Sequence, residues 1–341
     1  MTSYSKSSWV TKGILLTQSP RLLATSSCTS LESLAWPRML ASAALGLAFL
    51  LNSSMSLGQM STASTPKDTA SDWKQVEEAL GRPGQTQPGD VIKFSMPRKD
   101  LHVTVKGVDI KPALALGSWV AFKRDGGAAM VMGDLVLTED EVEAVMRKLQ
   151  EGGIEETALH NHLMWESPRV MYMHIAGHGD AGQMAKAIHQ ALMLSKTPGP
   201  DASPAAQATT DLGFDQKQVE LILGQTGKVN GGVLQIAVPR SETITDSKMT
   251  IPPSMGVATA LNFQTTGNGK AAITGDFVLL GSEVNPVLRA LRENGIEVTA
   301  LHSHMLIEEP RLFFMHFWAN DDALKLAKGL RAALDKTNSA K

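Results

Sequence analysis

The chain has 341 residues, 43% of them hydrophobic and 19% charged, with 32 basic against 34 acidic side chains and a net charge of −2. This excludes an intrinsically disordered chain and a basic nucleic-acid-binding surface. The single cysteine, Cys28, excludes an intrachain disulfide framework and any cysteine-based zinc or iron–sulfur site, so a metal would fall to histidine, carboxylate or backbone ligands.

Residues 1–58 read as a signal peptide with an N-terminal extension. Four basic residues (Lys6, Lys12, Arg21, Arg38) and one acid, Glu32, accompany the apolar run Met39–Leu51, and small residues Ser56 and Gly58 stand before Gln59. The run is too short to span a bilayer as a helix and suits export with cleavage, so the expected location is periplasmic or extracellular. Cys28 lies upstream of the run and cannot be a lipidated cysteine following it.

The remainder is one unit written twice. DWKQVEEALGRPG from Asp72 corresponds to DQKQVELILGQTG from Asp215, and between Gly133 and Leu194, 29 of 62 positions match the residue 142 further on. That period is too long for a solenoid and implies two similar domains, 72–196 and 215–336, joined by a Pro/Ala/Ser/Thr-rich linker over 197–214.

In chain order, a short helix over Asp72–Leu80 stops at Gly81 and is followed by strands near Val91–Met96, Leu101–Val105 and Trp119–Lys123. Asp125-Gly126-Gly127 turns into a strand over Ala128–Leu137. Thr138 with Glu141 forms a capping box, and Val142, Val145, Met146 and Leu149 recur at helical spacing until Gly152-Gly153. Strands over Glu155–Met164 and Val170–Ala176 lead to a last helix capped by Asp180 and buried through Met184, Ile188, Ala191 and Leu192. The pattern implies an α+β fold of two tandem repeats, each an antiparallel sheet with helices packed on one face.

One constellation carries chemistry. His160 and His162, Glu166, Pro168-Arg169 and His174 recur as His302 and His304, Glu308, Pro310-Arg311 and His316. Side chains two apart on a strand share a face, so His160 and His162 are neighbours, and a tight reversal around Ser167 would place His174 opposite His160. Three imidazoles with Glu166 as a fourth ligand or general base suit a divalent metal such as zinc, and the second repeat offers the same set. Such a metal would lower the pKa of bound water or polarise an oxygen. Arg169 and Arg311, near the turns, would orient an anionic ligand or pair with an acid. Strand histidines also serve as buried polar groups satisfied by backbone carbonyls, and a Pro-Arg pair also shapes a turn.

The spacing H-x-H-x₃-E resembles the first metal motif of cupins, but the glycine expected about seven residues after the glutamate is Met173. Gly133-Asp134 and Gly275-Asp276 read as turn-bracing pairs, and Met171-Tyr172-Met173 and Phe313-Phe314-Met315 as core. The order Ser-His-Asp, a phosphate loop and a dinucleotide fingerprint are all missing from the sequence.

The tandem motif A-L-H-x-H-x₃-E-x-P-R-x₄-H at Ala158–His174 and Ala300–His316 resembles the LppY/LpqO-like family of bacterial envelope proteins. The resemblance covers about Asp72 to Lys336 and implies an exported envelope protein, with no established catalytic residues to carry over. Members of that family include lipoproteins, and the position of Cys28 implies a soluble form instead. The expected function is divalent-metal binding through duplicated His/Glu patches. The alternatives are a metal-dependent hydrolase acting on an envelope or small-molecule substrate, and a module binding a ligand or partner without metal. A small-molecule or envelope ligand is the expected partner, with no nucleic acid and no integral membrane span in the mature chain.

Overall fold

The computed structural model describes residues 73–199 and 211–340. The signal peptide expected over 1–58 and much of the linker expected over 197–214 lie outside the described residues. Among the described residues, no helix is long and apolar enough to cross a membrane.

The first repeat runs α1 (Lys74–Leu80), β1 (Gln85–Gln87), β2 (Val91–Pro97), β3 (Val103–Val105), β4 (Val108–Ile110), α2 (Pro112–Ala115), β5 (Gly117–Asp125), β6 (Ala128–Thr138), α3 (Glu139–Glu151), β7 (Glu155–His160), β8 (Glu166–Ser167), β9 (Val170–Gly179) and α4 (Ala181–Leu192). Its main sheet is antiparallel in the order β1-β2-β5-β6-β9-β7. The second repeat follows the same plan: α5 (Gln216–Leu223), β10 (Lys228–Asn230), β11 (Val233–Pro239), β12 (Ile244–Asp246), β13 (Met249–Ile251), β14 (Ala258–Gly267), β15 (Lys270–Leu280), α6 (Gly281–Glu293), β16 (Glu297–His302), β17 (Leu312–Asp322) and α7 (Ala323–Leu334). A 3-10 turn, Pro253–Met255, takes the place of α2, and the sheet order is β10-β11-β14-β15-β17-β16.

Strand alternation separates two faces. Ile92, Phe94 and Met96 of β2, with Val131, Leu135 and Leu137 of β6, pack against α1, α3 and α4 through Leu80, Val145, Leu149 and Ile188. An equivalent core in the second repeat gathers Leu234, Ile236, Phe263, Ile273, Phe317, Leu291 and Leu330. The opposite faces are covered as well, each by the other repeat. Val91, Ala121, Met130 and Met132 pack with Ile244, Ile251, Met255, Val278 and Phe314. Reciprocally, Val103, Val105, Ile110, Val136 and Tyr172 pack with Val233, Ala272 and Trp318. Burial on both faces explains why β6 is buried at nine consecutive positions, Ala129–Leu137.

Helix α3 begins with the expected capping box, with Glu141 accepting from the Thr138 N–H at 2.9 Å. Its carboxylate also meets Arg98, whose guanidinium is fully buried and donates to Glu141 at 2.8 Å, to the Val136 carbonyl at 2.7 Å and to Asp100 at 2.8 Å. Arg240, Glu283, the Val278 carbonyl and Glu242 repeat the arrangement. Each arginine fastens the strand end of β6 or β15 to the following helix.

Polar groups also cross between repeats. Gln235 donates to the Ala113 carbonyl at 2.7 Å, while Lys93, at the equivalent position, donates to the Ser254 carbonyl at 2.9 Å. The Thr299 hydroxyl donates to the His162 carbonyl at 2.6 Å, fixing the edge strand of one repeat on the histidine loop of the other.

Candidate metal centre

The site is built on rows of side chains running across the inward faces. In the first repeat, Trp119, Asp134, His174 and Ala158 stand in register across β5, β6, β9 and β7, and the next row holds Val136, Tyr172 and His160. In the second, Ala260, Asp276, His316 and Ala300 form the first row, and Val278, Phe314 and His302 the next. His174 is therefore diagonal to His160, and Tyr172 is opposite it. The expected placement of His174 directly opposite His160 does not hold. The reversal spans residues 161–169, includes β8, and the β7–β9 register shifts between Glu156 and Ala158.

Two separate histidine patches become one. Within the first repeat, the His160 ring centroid lies 5.0 Å from that of His162 and 5.1 Å from that of His174. Across the repeats, His160 lies 3.6 Å from His302, His174 3.6 Å from His304, and His162 3.8 Å from His316. Ligating atoms of His160, His174 and His304 lie within 4.8 Å of one another, as do those of His160, His162 and His316, of His302, His304 and His316, and of Asp134, His162 and His174.

Asp134 and Asp276 were not legible as site residues from their Gly-Asp setting. Their strand parity with His174 and His316 was the available signal. Oδ1 of Asp134 is 3.8 Å from Nε2 of His174, and Oδ1 of Asp276 is 3.9 Å from Nε2 of His316, both beyond hydrogen-bond length.

Burial governs the charges. It holds His160 down to about 4 and His302 down to about 3, with neighbouring His160 adding to the effect on His302. Burial, reinforced by the other rings, keeps His162, His174, His304 and His316 well below the ordinary histidine value. Burial also raises Asp134 to about 8 and lifts Asp276 well above the usual carboxylate range. At neutral pH the six imidazoles are neutral, the form that binds metals. The Gly275 carbonyl, 2.9 Å from Nδ1 of His316, can only accept, so that nitrogen carries the proton and Nε2 presents its lone pair to the cluster.

The glutamates have a different task. Oε1 of Glu166 accepts from the Val170 N–H and the Asn161 side chain, both at 3.2 Å, and Oε1 of Glu308 accepts from the Leu312 N–H at 2.9 Å. Each braces the loop that carries the second histidine and neither is in the groups that approach one another as ligands, while Oε2 of Glu166 is buried without a hydrogen-bond partner. The arginines lie at the surface: Arg169 is 64% exposed and pairs with Glu139 at 3.8 Å, while Arg311 reaches Glu308 at 3.1 Å and the Met305 and Leu306 carbonyls.

A cleft of about 800 Å³ opens beside the cluster between the inward faces, reaching Asp134, His162, His174, Asp276, His304 and His316.

The fold and site define a tandem-repeat α+β protein whose two copies share one histidine-rich centre. The chain belongs to the family described as Domain of Unknown Function (DUF1259), matched over residues 74–194 and again over 217–336. No curated protein matches it. Among solved structures it is similar to EtuB from Clostridium kluyveri, at 9% identity and a TM-score of 0.17, over 74% of this chain and 90% of that one. It is likewise similar to a trimeric bacterial microcompartment shell protein, PduB, at 13% identity and a TM-score of 0.18, over 73% and 88%. A fused permuted hexameric shell protein from the RMM microcompartment matches at 11% identity and a TM-score of 0.17, over 72% and 94%.

These findings correct the expected resemblance and the function drawn from it. The family matched is DUF1259 and not the LppY/LpqO-like family. The expected LppY/LpqO-like envelope function with two separate His/Glu patches, and its hydrolase and metal-free alternatives, fall with that resemblance. At these TM-scores no role passes from the shell proteins to this chain.

Proposed function

We propose that the two repeats together form a single composite transition-metal centre from His160, His162, His174, His302, His304 and His316, with Asp134 and Asp276 at its border. The observation that carries this reading is the set of buried polar atoms without hydrogen-bond partners. Nε2 of all six histidines, Nδ1 of His302 and Oδ1 of both aspartates are in that state, and all belong to this one cluster. An unsatisfied buried polar group costs about 1–3 kcal/mol, so a concentration of them needs a species that accepts several lone pairs at once. A metal cation does so. Imidazole with carboxylate suits zinc, copper, iron or nickel, and a bound cation would favour ionised aspartates over the protonated state that burial imposes.

When bound, the metal supplies a Lewis acid or redox centre at the wall of the cleft. The chain holds the His316 ring through Nδ1 on the Gly275 carbonyl and the His160 ring through Nδ1 near the Asn161 carbonyl, and supplies a low-dielectric surround.

The full chain, loaded with zinc, desalted and assayed for metal by mass spectrometry, is expected to retain stoichiometric metal. His174→Ala and His316→Ala, one from each repeat, are each expected to lower retention strongly, because both rings serve the same centre. Absence of retained metal in the folded protein after loading with zinc, copper, iron or nickel would overturn the proposal. Independent loss of half the metal in each variant would refute the composite arrangement.

A further inference from the structure

The repeats agree at the histidines and differ on the cleft walls. Lys93 of β2 faces the cleft where the second repeat has Gln235, and Trp119 of β5 stands where it has Ala260. Lys93 and Gln235 share one structural task, since each donates to a carbonyl of the opposite repeat. That task needs no charge, as Gln235 demonstrates. Lys93 adds a positive charge, and its Nζ sits 4.0 Å from the Trp119 ring centroid. Among the described residues it forms no ion pair; Lys99 and Lys111 also line the cleft, Lys111 donating to the Gly232 carbonyl at 3.3 Å, and the carboxylic acids there are Asp134 and Asp276. Burial lowers Lys93 to about 8, an effect that an ionised Asp134 opposes. The walls around it include Pro112, Ala113, Ala115 and Trp119, so an occupant also meets apolar surface.

We infer that the cleft binds a small carboxylate with an apolar body, its carboxylate on Lys93 and its body against Trp119, beside the histidine cluster. A lysine ammonium in a partly closed cleft favours an anionic group over a neutral one of the same shape. The cleft has room for such a ligand, and a few polar anchors within apolar walls are the usual make-up of such sites. The inference deepens the metal-centre reading and rests on it for what the bound molecule faces; the contact with Lys93 does not require the metal.

Benzoate is the probe, titrated calorimetrically into the full chain with and without zinc, beside neutral benzamide and inorganic phosphate. Benzoate is expected to bind and to quench Trp fluorescence. Lys93→Gln keeps the donor to the Ser254 carbonyl in the manner of Gln235, and is expected to weaken benzoate at least tenfold while leaving zinc content unchanged. Trp119→Ala, the residue of the second repeat, is expected to weaken both benzoate and benzamide. Equal binding of benzoate to wild type and Lys93→Gln, benzamide binding as tightly as benzoate, phosphate binding more tightly, or no benzoate binding would each overturn the inference. Zinc retention is read separately, so failure of the metal centre is distinguishable from failure of the carboxylate site.

Discussion

Replacing Arg98 by methionine tests how the strand that carries Asp134 is held. The guanidinium is 0% exposed, donates to the Val136 carbonyl two residues beyond Asp134, and shares Glu141 with the Thr138 and Lys196 N–H groups. Methionine fills much of the volume but leaves Glu141 without its buried counter-charge. Removing one member of a buried, hydrogen-bonded ion pair costs about 3–5 kcal/mol. For a unit of this size, each kcal/mol lowers the midpoint by about 2–4 °C, so the variant is expected to melt roughly 6–20 °C below wild type. The pH dependence has a definite sign. Burial tends to raise the Glu141 pKa, but Arg98 and the backbone donors outweigh it and hold the value below the ordinary 4.5. The stabilisation is present above that ordinary value and is lost as pH falls through the depressed one, with the loss removed in the variant. Calorimetric melting at pH 7 and along an acid series provides the assay. A midpoint within 2 °C of wild type, or an unchanged acid profile, would refute the reasoning.

Asp134→Asn keeps the size of the side chain and removes its ability to ionise, and zinc affinity is expected to fall about 10–100-fold with the melting curve little changed, as read by competition with a chelator. Glu166→Gln is expected to leave zinc retention intact and to cost about 1 kcal/mol in chemical unfolding, because its role is to hold the Val170 N–H. Gly133→Ala would bring a Cβ to 2.8 Å from both the Trp119 carbonyl and the Val120 side chain, so a loss of about 1–3 kcal/mol is expected by urea denaturation. Gly275→Ala meets the Ala260 carbonyl more closely still and is expected to exceed it.

Local patterns carried much of the fold. The capping box at Thr138 and Glu141, the cap at Asp180 and the alternation in β2 each depend on residues within a few positions, and all three are present. The pairing of Arg98 with Glu141 spans 43 residues and leaves no periodic trace. The histidine motifs were legible because duplication repeats them, but their meeting was not, since strand spacing describes one sheet and says nothing of a second laid against it. The apolar character of β6 on both parities was the sign that its other face is covered. Spacing alone makes Glu166 a ligand or a general base; it gives no sign that Oε1 accepts from the Val170 N–H at the start of β9, which leaves Oε2 without a hydrogen-bond partner. Asp134 was read as a turn residue because its partner, His174, lies 40 positions away in sequence and across one strand pair in space.

The close pairing of His160 with His302, of His174 with His304 and of His162 with His316 divides one set of ligands between two copies of a unit. A single copy holds only half of it, so a one-repeat chain could complete the centre only by joining a second in two-fold fashion. In such a dimer every change would appear twice, on both walls at once. Joining the copies in one polypeptide lifts that restriction. The shared ligands can stay matched while each wall changes separately, and Lys93 against Gln235, with Trp119 against Ala260, are places where that freedom has been used.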